Sequence, residues 1–204
     1  MNVAVAPRAP GPVELAVPTG ELDDVTLARA QRGEPLAWRA LVEHYQVAVF
    51  GLLGRMLGGD RRAQVEDLAQ DTFLAVFRQL AGFSALGPAR LSTWILTIAS
   101  RRAIDELRRR PPSPLALVDI VAGRSDRDRG DAALTRRQVA VAIDRALAEL
   151  APDYRAAFVL RELHGLEYVE ISRALEIDLG TVKSRLARAR AALRAALAEV
   201  HHDA

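Results

Sequence analysis

Cysteine is absent from the 204-residue chain, which removes disulfides and thiolate metal sites and allows a reducing compartment. Aromatic residues are scarce at 5%, so any core must be assembled from aliphatic side chains. Lysine is almost missing as well: Lys183 stands alone, and every other cationic side chain except histidine is arginine, which suits bidentate phosphate and guanine contacts. No apolar run approaches the roughly 20 residues that span a bilayer. The N-terminus lacks the charged start and apolar block of a signal peptide. A soluble, cytoplasmic protein without membrane insertion is therefore expected. The histidines (His44, His164, His201 and His202) are scattered, and no Ser/His/Asp grouping accompanies them. Neither catalysis, nor a metal site, nor a cofactor is expected. With a formal net charge of only +2, affinity for a polyanion must come from local patches.

What is present is alanine, leucine and helical periodicity, with no long β-branched alternation, and this predicts an all-α protein. Residues 1–20 carry four prolines and two glycines without periodicity and read as a disordered tail. Residues 21–110 read as one small helical domain. Pro111-Pro112-Ser113-Pro114 stops its last helix, and charges alternate through Gly123–Asp131, so 111–132 reads as a flexible linker. Residues 133–200 form a second helical domain.

The most informative segment is Thr181–Leu197. At about 100° per residue, Val182, Leu186, Ala189, Leu193 and Leu197 share one arc, which is the buried face. Thr181, Arg185 and Arg188 lie opposite with Ser184 beside them, while Lys183, Arg190 and Arg194 form a second basic flank. No acidic residue occurs between Thr181 and Leu197. Such a helix is suited to a polyanion. Before it, Tyr168–Leu175 reads as a short helix with Ile171, Ala174 and Leu175 inward, followed by the connector Glu176–Gly180. Short helix, tight turn and basic helix make a helix-turn-helix, whose second helix enters the major groove. Thr181 is placed to cap that helix, and Lys183, Ser184, Arg185 and Arg188 to reach phosphates or base edges. Such connectors often use glycine for a left-handed backbone, and glycine is absent before Ile177: a left-handed Glu176 would cost on the order of 1 kcal/mol. The bland alternative is a solvated, arginine-rich surface helix.

In the first domain, Val65, Ala69, Thr72, Phe73, Val76 and Leu80 share the core side of one helix. Asp67, Gln70, Asp71, Leu74, Phe77 and Arg78 share the other. Leu74 and Phe77 there fit either a protein-docking surface or packing under a neighbouring helix. The helix from Ser92 to Arg110 has a core stripe of Leu91, Trp94, Ile95 and Ile98, with Ser92 or Thr93 as cap. Its second half is basic, with Asp105 placed to pair with Arg101, Arg102, Arg108 or Arg109. The preceding loop, Gly82–Arg90, is flexible, contains Phe83 and has the character of a segment that holds an unstacked base.

Taken together, Glu66–Phe73 through Phe77-Arg78, Ser92–Ile95 and Ile98–Arg109 resemble the first conserved domain of extracytoplasmic-function sigma factors. Leu150-Ala151-Pro152 with Arg155 and Phe158, Glu170-Ile171 and Gly180–Leu186 with Arg188-Ala189 resemble their second. The resemblance spans about Asp23 to Leu197. It implies that Asp67, Gln70, Asp71, Leu74, Phe77 and Arg78 dock on the β′ clamp helices of core RNA polymerase. Phe83, Ser84, Arg90, Thr97, Arg101, Arg102 and Arg108 would read and open the −10 promoter element. Thr181, Lys183, Ser184, Arg185 and Arg188 would read the −35 element. The linker would thread toward the RNA exit path, and the β flap and an anti-sigma factor are the other implied partners. The chain departs from the family's pattern at Arg101, where asparagine is common, at Glu176, where the turn glycine is usual, and in its longer N-terminal tail. Two rival readings remain: a free-standing helix-turn-helix regulator, and a polymerase-docking protein that does not read DNA.

Overall fold

The computed structural model describes residues 20–58, 61–110 and 143–202. The tail expected over 1–20 (Gly20 excepted) and the linker expected over 111–132 lie outside the described residues. All regular structure among the described residues is helical.

Helix α1 (Asp24–Gln31) starts at Asp23, whose carboxylate accepts the Thr26 amide at 2.9 Å. Helix α2 (Pro35–Leu57) begins with proline, where no intrahelical amide is needed, and ends at Gly58 with φ 93°. It buries residues on most of its circumference, from Leu41 and Tyr45 to Leu53 and Met56, because it is the central rod against which the others pack. Helix α3 (Arg62–Gln79) buries Val65, Ala69, Thr72, Phe73 and Val76 as its periodicity requires, and Leu80 follows in a short 3₁₀ turn, Leu80–Gly82. Helix α4 (Leu91–Arg109) packs on both α2 and α3.

The first turn of α4 differs from the sequence expectation. Neither Ser92 nor Thr93 caps it; the N-cap is Arg90, without a side-chain bond. A carboxylate distant in sequence does this work: Glu21 accepts the Ser92 amide at 3.1 Å as well as the Ser92 hydroxyl. The core stripe is also rotated. Leu91, Ile95, Leu96, Ala99, Ala103 and Leu107 are buried, whereas Trp94 and Ile98 sit half-buried at its edge.

After the undescribed stretch, residues 143–149 are helical (α5), and α6 (Pro152–Glu162), α7 (Tyr168–Leu175) and α8 (Leu179–His202) follow. Gly165, at φ 67°, turns the chain out of α6. A reciprocal Glu167–Glu170 capping box then starts α7. The two helical groups foreseen from the sequence do not stand apart. One continuous core runs from α1–α4 into Ala156, Val159 and Leu160 of α6, Ile171 of α7, and Val182 and Leu186 of α8. A smaller cluster (Ala146, Leu147, Leu150, Ala189 and Leu193) closes the far end. Arg155 pins the junction. Only 2% exposed, it donates to the Met56 carbonyl of α2 and to the Leu150 carbonyl at 3.1 Å. Burial, together with repulsion from Arg61, pulls its guanidinium down to about 10, so it remains charged at neutral pH.

Candidate protein and nucleic-acid interfaces

The outer face of α3 presents Asp67, Gln70, Asp71, Leu74, Phe77 and Arg78, all exposed. Leu74 and Phe77 are 44% and 48% exposed, so among the described residues no neighbouring helix covers them. Phe77 is steadied by an edge-to-face contact with Trp38 of α2, centroids 5.1 Å apart. Asp71 faces Arg102 of α4 at 3.8 Å. The result is a firm apolar ridge set among acids and amides, with the chemistry of a protein-docking surface.

Around the corner, the loop after α3 is fixed at its start by a residue the sequence reading overlooked. Gln31 of α1 donates to the Leu80 carbonyl at 3.1 Å and the Phe83 carbonyl at 2.7 Å. No sequence pattern marks a lone glutamine whose partners lie about fifty positions away. Gly87 lets the loop turn tightly, since a Cβ there would lie 2.9 Å from the Ser84 carbonyl oxygen. Phe83 and Trp94 pack with ring centroids 5.1 Å apart and form part of the lining of an open cleft of about 360 Å³ that also touches Ser84, Pro88 and Ala89. Apolar walls, one hydroxyl and an open mouth suit a planar base. Trp94 is thus both packed at the core edge and part of the cleft wall. Ser84 and Arg90 are exposed at the loop's two ends, while Thr97 is half-buried and returns its hydroxyl to the Thr93 carbonyl at 2.7 Å.

The basic half of α4 is less free than its sequence suggests. Its partners are not Asp105 but Glu106, which pairs with Arg109 at 3.1 Å, and acids from elsewhere in the fold. Arg101 reaches Glu176 at 2.9 Å, and Arg108 reaches Asp153 at 3.1 Å.

On α8, Val182, Leu186, Ala189 and Leu193 are buried as the wheel requires; the Leu197 side chain lies outside the described residues. The cap differs from expectation. The helix begins two residues before Thr181, and Asp178 accepts both the Thr181 amide at 2.8 Å and its hydroxyl at 2.6 Å. Those bonds hold the Asp178 carboxyl below the usual carboxylate range. Thr181 is therefore capped rather than capping. Lys183, Ser184 and Arg188 are exposed, whereas Arg185 is half-buried and points toward Asp153 at 3.4 Å. Arg188 donates to the Tyr154 hydroxyl at 2.7 Å, and Arg190 pairs with Glu162 at 2.7 Å. The helix itself carries no acid over this stretch, yet α6 supplies two. The turn before it is the one foreseen: Glu176 takes the left-handed conformation, φ 54° and ψ 46°.

One polar group has no place in these surfaces. His164, after α6, has both ring nitrogens buried without a protein partner, and burial pulls the imidazole down to about 4. It borders a small cleft shared with Glu21, Tyr45 and Ser92.

An exposed apolar ridge, an open cleft beside an arginine-bearing helix and a helix-turn-helix occur together in this fold, and comparison with known proteins shows the family. Residues 41–111 match the family model for sigma-70 region 2, and residues 140–193 match that for sigma-70 region 4. The RNA polymerase sigma-H factor of Pseudomonas aeruginosa is 33% identical over 199 residues, covering 91% of this chain and 99% of that protein. The ECF RNA polymerase sigma-E factor of Escherichia coli K12 is 33% identical over 183 residues, covering 84% and 92%. Among solved structures, CnrH in complex with the cytosolic domain of CnrY shares the fold, with TM-score 0.61 and 24% identity, over 86% of this chain and 96% of that one. The sigma factor RpoE of Bartonella quintana, solved with the anti-sigma factor NepR, does so with TM-score 0.59 and 22% identity, over 78% and 95%. The chain belongs to the sigma-70 family and, within it, to the extracytoplasmic-function RNA polymerase sigma factors.

Proposed function

We propose that the chain acts as a non-enzymatic specificity subunit in the bacterial cytoplasm, with its parts divided as follows. Residues 21–110 carry core-polymerase and −10 binding. The α3 ridge of Asp67, Gln70, Asp71, Leu74, Phe77 and Arg78 docks on the β′ clamp helices. The 82–90 loop with Phe83, Ser84 and Arg90, and α4 with Thr97, Arg101, Arg102 and Arg108, capture and read an unstacked −10 strand. Residues 133–200 carry −35 binding through Thr181, Lys183, Ser184, Arg185 and Arg188, and meet the β flap. Residues 111–132 connect the two. An anti-sigma factor is the expected inhibitor.

The observation that supports this best is the division of α8. Val182, Leu186 and Ala189 are fully buried while Lys183, Ser184 and Arg188 stand exposed on the first turns, as a recognition helix entering a groove by its N-terminal end requires. Tethering two weak readers raises the effective concentration of the second at the promoter. The cost of unstacking, a few kcal/mol, is offset by base capture and polymerase contacts. In vitro transcription with core polymerase and start-site mapping tests the reading. New start sites preceded by a common pair of elements are expected, and their loss on changing Arg185 and Arg188 to alanine. Unchanged initiation with that double variant would favour a docking protein that does not read DNA.

A further inference from the structure

The arginines of α8 are not held alike. Arg185 leans on the Asp153 carboxylate at 3.4 Å, and Arg190 pairs with Glu162 at 2.7 Å. Arg188 lies between them in sequence, is exposed, and meets a phenol instead. Its guanidinium donates to the Tyr154 hydroxyl at 2.7 Å, and the guanidinium carbon lies 5.7 Å from the centre of the Tyr154 ring. That distance is within reach of a cation–π attraction. Among the described residues, no carboxylate pairs with Arg188.

The nature of the partner matters. A carboxylate offsets the charge that a phosphate or base edge would feel, and it must be released before DNA takes its place. A hydroxyl orients the guanidinium without cancelling its charge. The bond to Tyr154 uses Nη1. The Nε–Nη2 edge, a fork that matches guanine O6 and N7, has no partner among the described residues.

Tyr154 has the setting of a fixed post. It lies in the first turn of α6, behind Pro152, and its amide donates to the Ala151 carbonyl at 2.9 Å. Its ring is half-buried against the cluster that includes Leu150 and Leu193. A phenol turns about only two side-chain bonds, so little freedom remains once the ring is packed. Arginine has more to lose, and holding it in place beforehand lowers that loss at binding. Asp153 holds Arg185 from the same turn, so one end of α6 backs adjacent turns of α8.

We propose that Tyr154 is a positioning residue for promoter reading: its hydroxyl and ring preset Arg188, with its charge uncancelled, for a bidentate contact with a guanine of the upstream element. The inference rests on the −35 role proposed for α8 above. Tyr154 itself touches no base in this scheme.

The test uses the full chain assembled with core polymerase, on promoter duplexes taken from start sites mapped by transcription. Each base pair of the upstream element is changed in turn, and affinity is measured by competition at several salt concentrations. Arg188→Ala should abolish the preference at one G·C pair. Tyr154→Phe keeps the ring and removes only the hydroxyl. It should reduce that same preference about threefold to tenfold, leave the other positions alone, and keep the slope of log affinity against log salt. In the Arg188→Ala background it should do nothing further. Wild-type discrimination by Tyr154→Phe, with Arg188→Ala still relaxed, would overturn the positioning role and leave the promoter reading standing. Equal weakening on every duplex, or an effect that persists without Arg188, would show that the hydroxyl serves packing alone. If Arg188→Ala discriminates as wild type does, the reading of Arg188 falls and the role of Tyr154 falls with it.

Discussion

His164 shows how a single side chain ties stability to pH in this fold. Its imidazole is held neutral by burial, down to about 4 against 6.5 in the unfolded chain. Between those values the unfolded state binds more protons, so stability is complete above pH 6.5 and falls as pH drops toward 4. A loss of about 2 kcal/mol between pH 7 and pH 5 is expected from this group, measured by urea unfolding at the two pH values. His164→Leu should flatten that slope, and an equally steep slope in the variant would show that the histidine does not set it. Arg155 belongs to the same scale. Its position in an Ala-Pro-Asp-Tyr-Arg stretch suggests a surface helix start, yet the fold buries it against carbonyls of α2 and of the α5–α6 turn. Neither residue's environment is legible locally, because burial of a polar side chain is decided by what arrives from elsewhere in the chain. The sequence left the conformation of Glu176 conditional, because a left-handed non-glycine residue carries a cost; the fold shows it at φ 54°.

At the scale of elements, the helical wheel of α3 separated its buried and exposed faces, while periodicity alone left Leu74 and Phe77 open to either docking or packing under a neighbour. Replacing Asp71 and Phe77 together by alanine should weaken association with core polymerase at least tenfold while leaving α3 folded, as both side chains are exposed. Co-purification at wild-type yield with an unchanged circular dichroism spectrum would contradict the ridge's role. On α8, Lys183 is exposed, and among the described residues it makes no hydrogen bond or ion pair that would have to be broken first. Lys183→Ala should weaken upstream-element binding roughly uniformly across sequences, and reduce the slope of log affinity against log salt by about one. A slope identical to wild type would mean that Lys183 does not touch phosphate. The start of this helix was harder to read. Asp178-Leu179-Gly180 resembles a connector, and only the two bonds from Thr181 to Asp178 reveal the aspartate as the cap. Likewise the first turn of α4 carries two good capping candidates, and a carboxylate from before α1 serves in their place.

For the whole molecule, the sequence named two helical groups without fixing how they pack on each other, and the fold supplies that relation. A core shared by α2, α4, α6, α7 and α8 is expected to make the described residues unfold together. Leu160, wholly buried within it, is a direct test. Leu160→Ala should cost about 2–5 kcal/mol, and hydrogen exchange should speed up together in α2 and α6. Acceleration confined to α6–α8 would show that the halves unfold independently. Arg108 and Arg185, proposed to meet different promoter elements, both reach Asp153, so a single carboxylate links α4 and α8.

The sequence by itself determined the helical class, the apolar faces and the location of the basic helix, because periodicity is a local property that neighbouring residues enforce on one another. The tertiary structure decided which charge meets which: Arg101 with Glu176, Arg108 and Arg185 with Asp153, Glu21 with Ser92. Electrostatic partners are chosen by distance through space. Only packing of the aliphatic core brings residues separated by 32 to 75 positions close enough to choose.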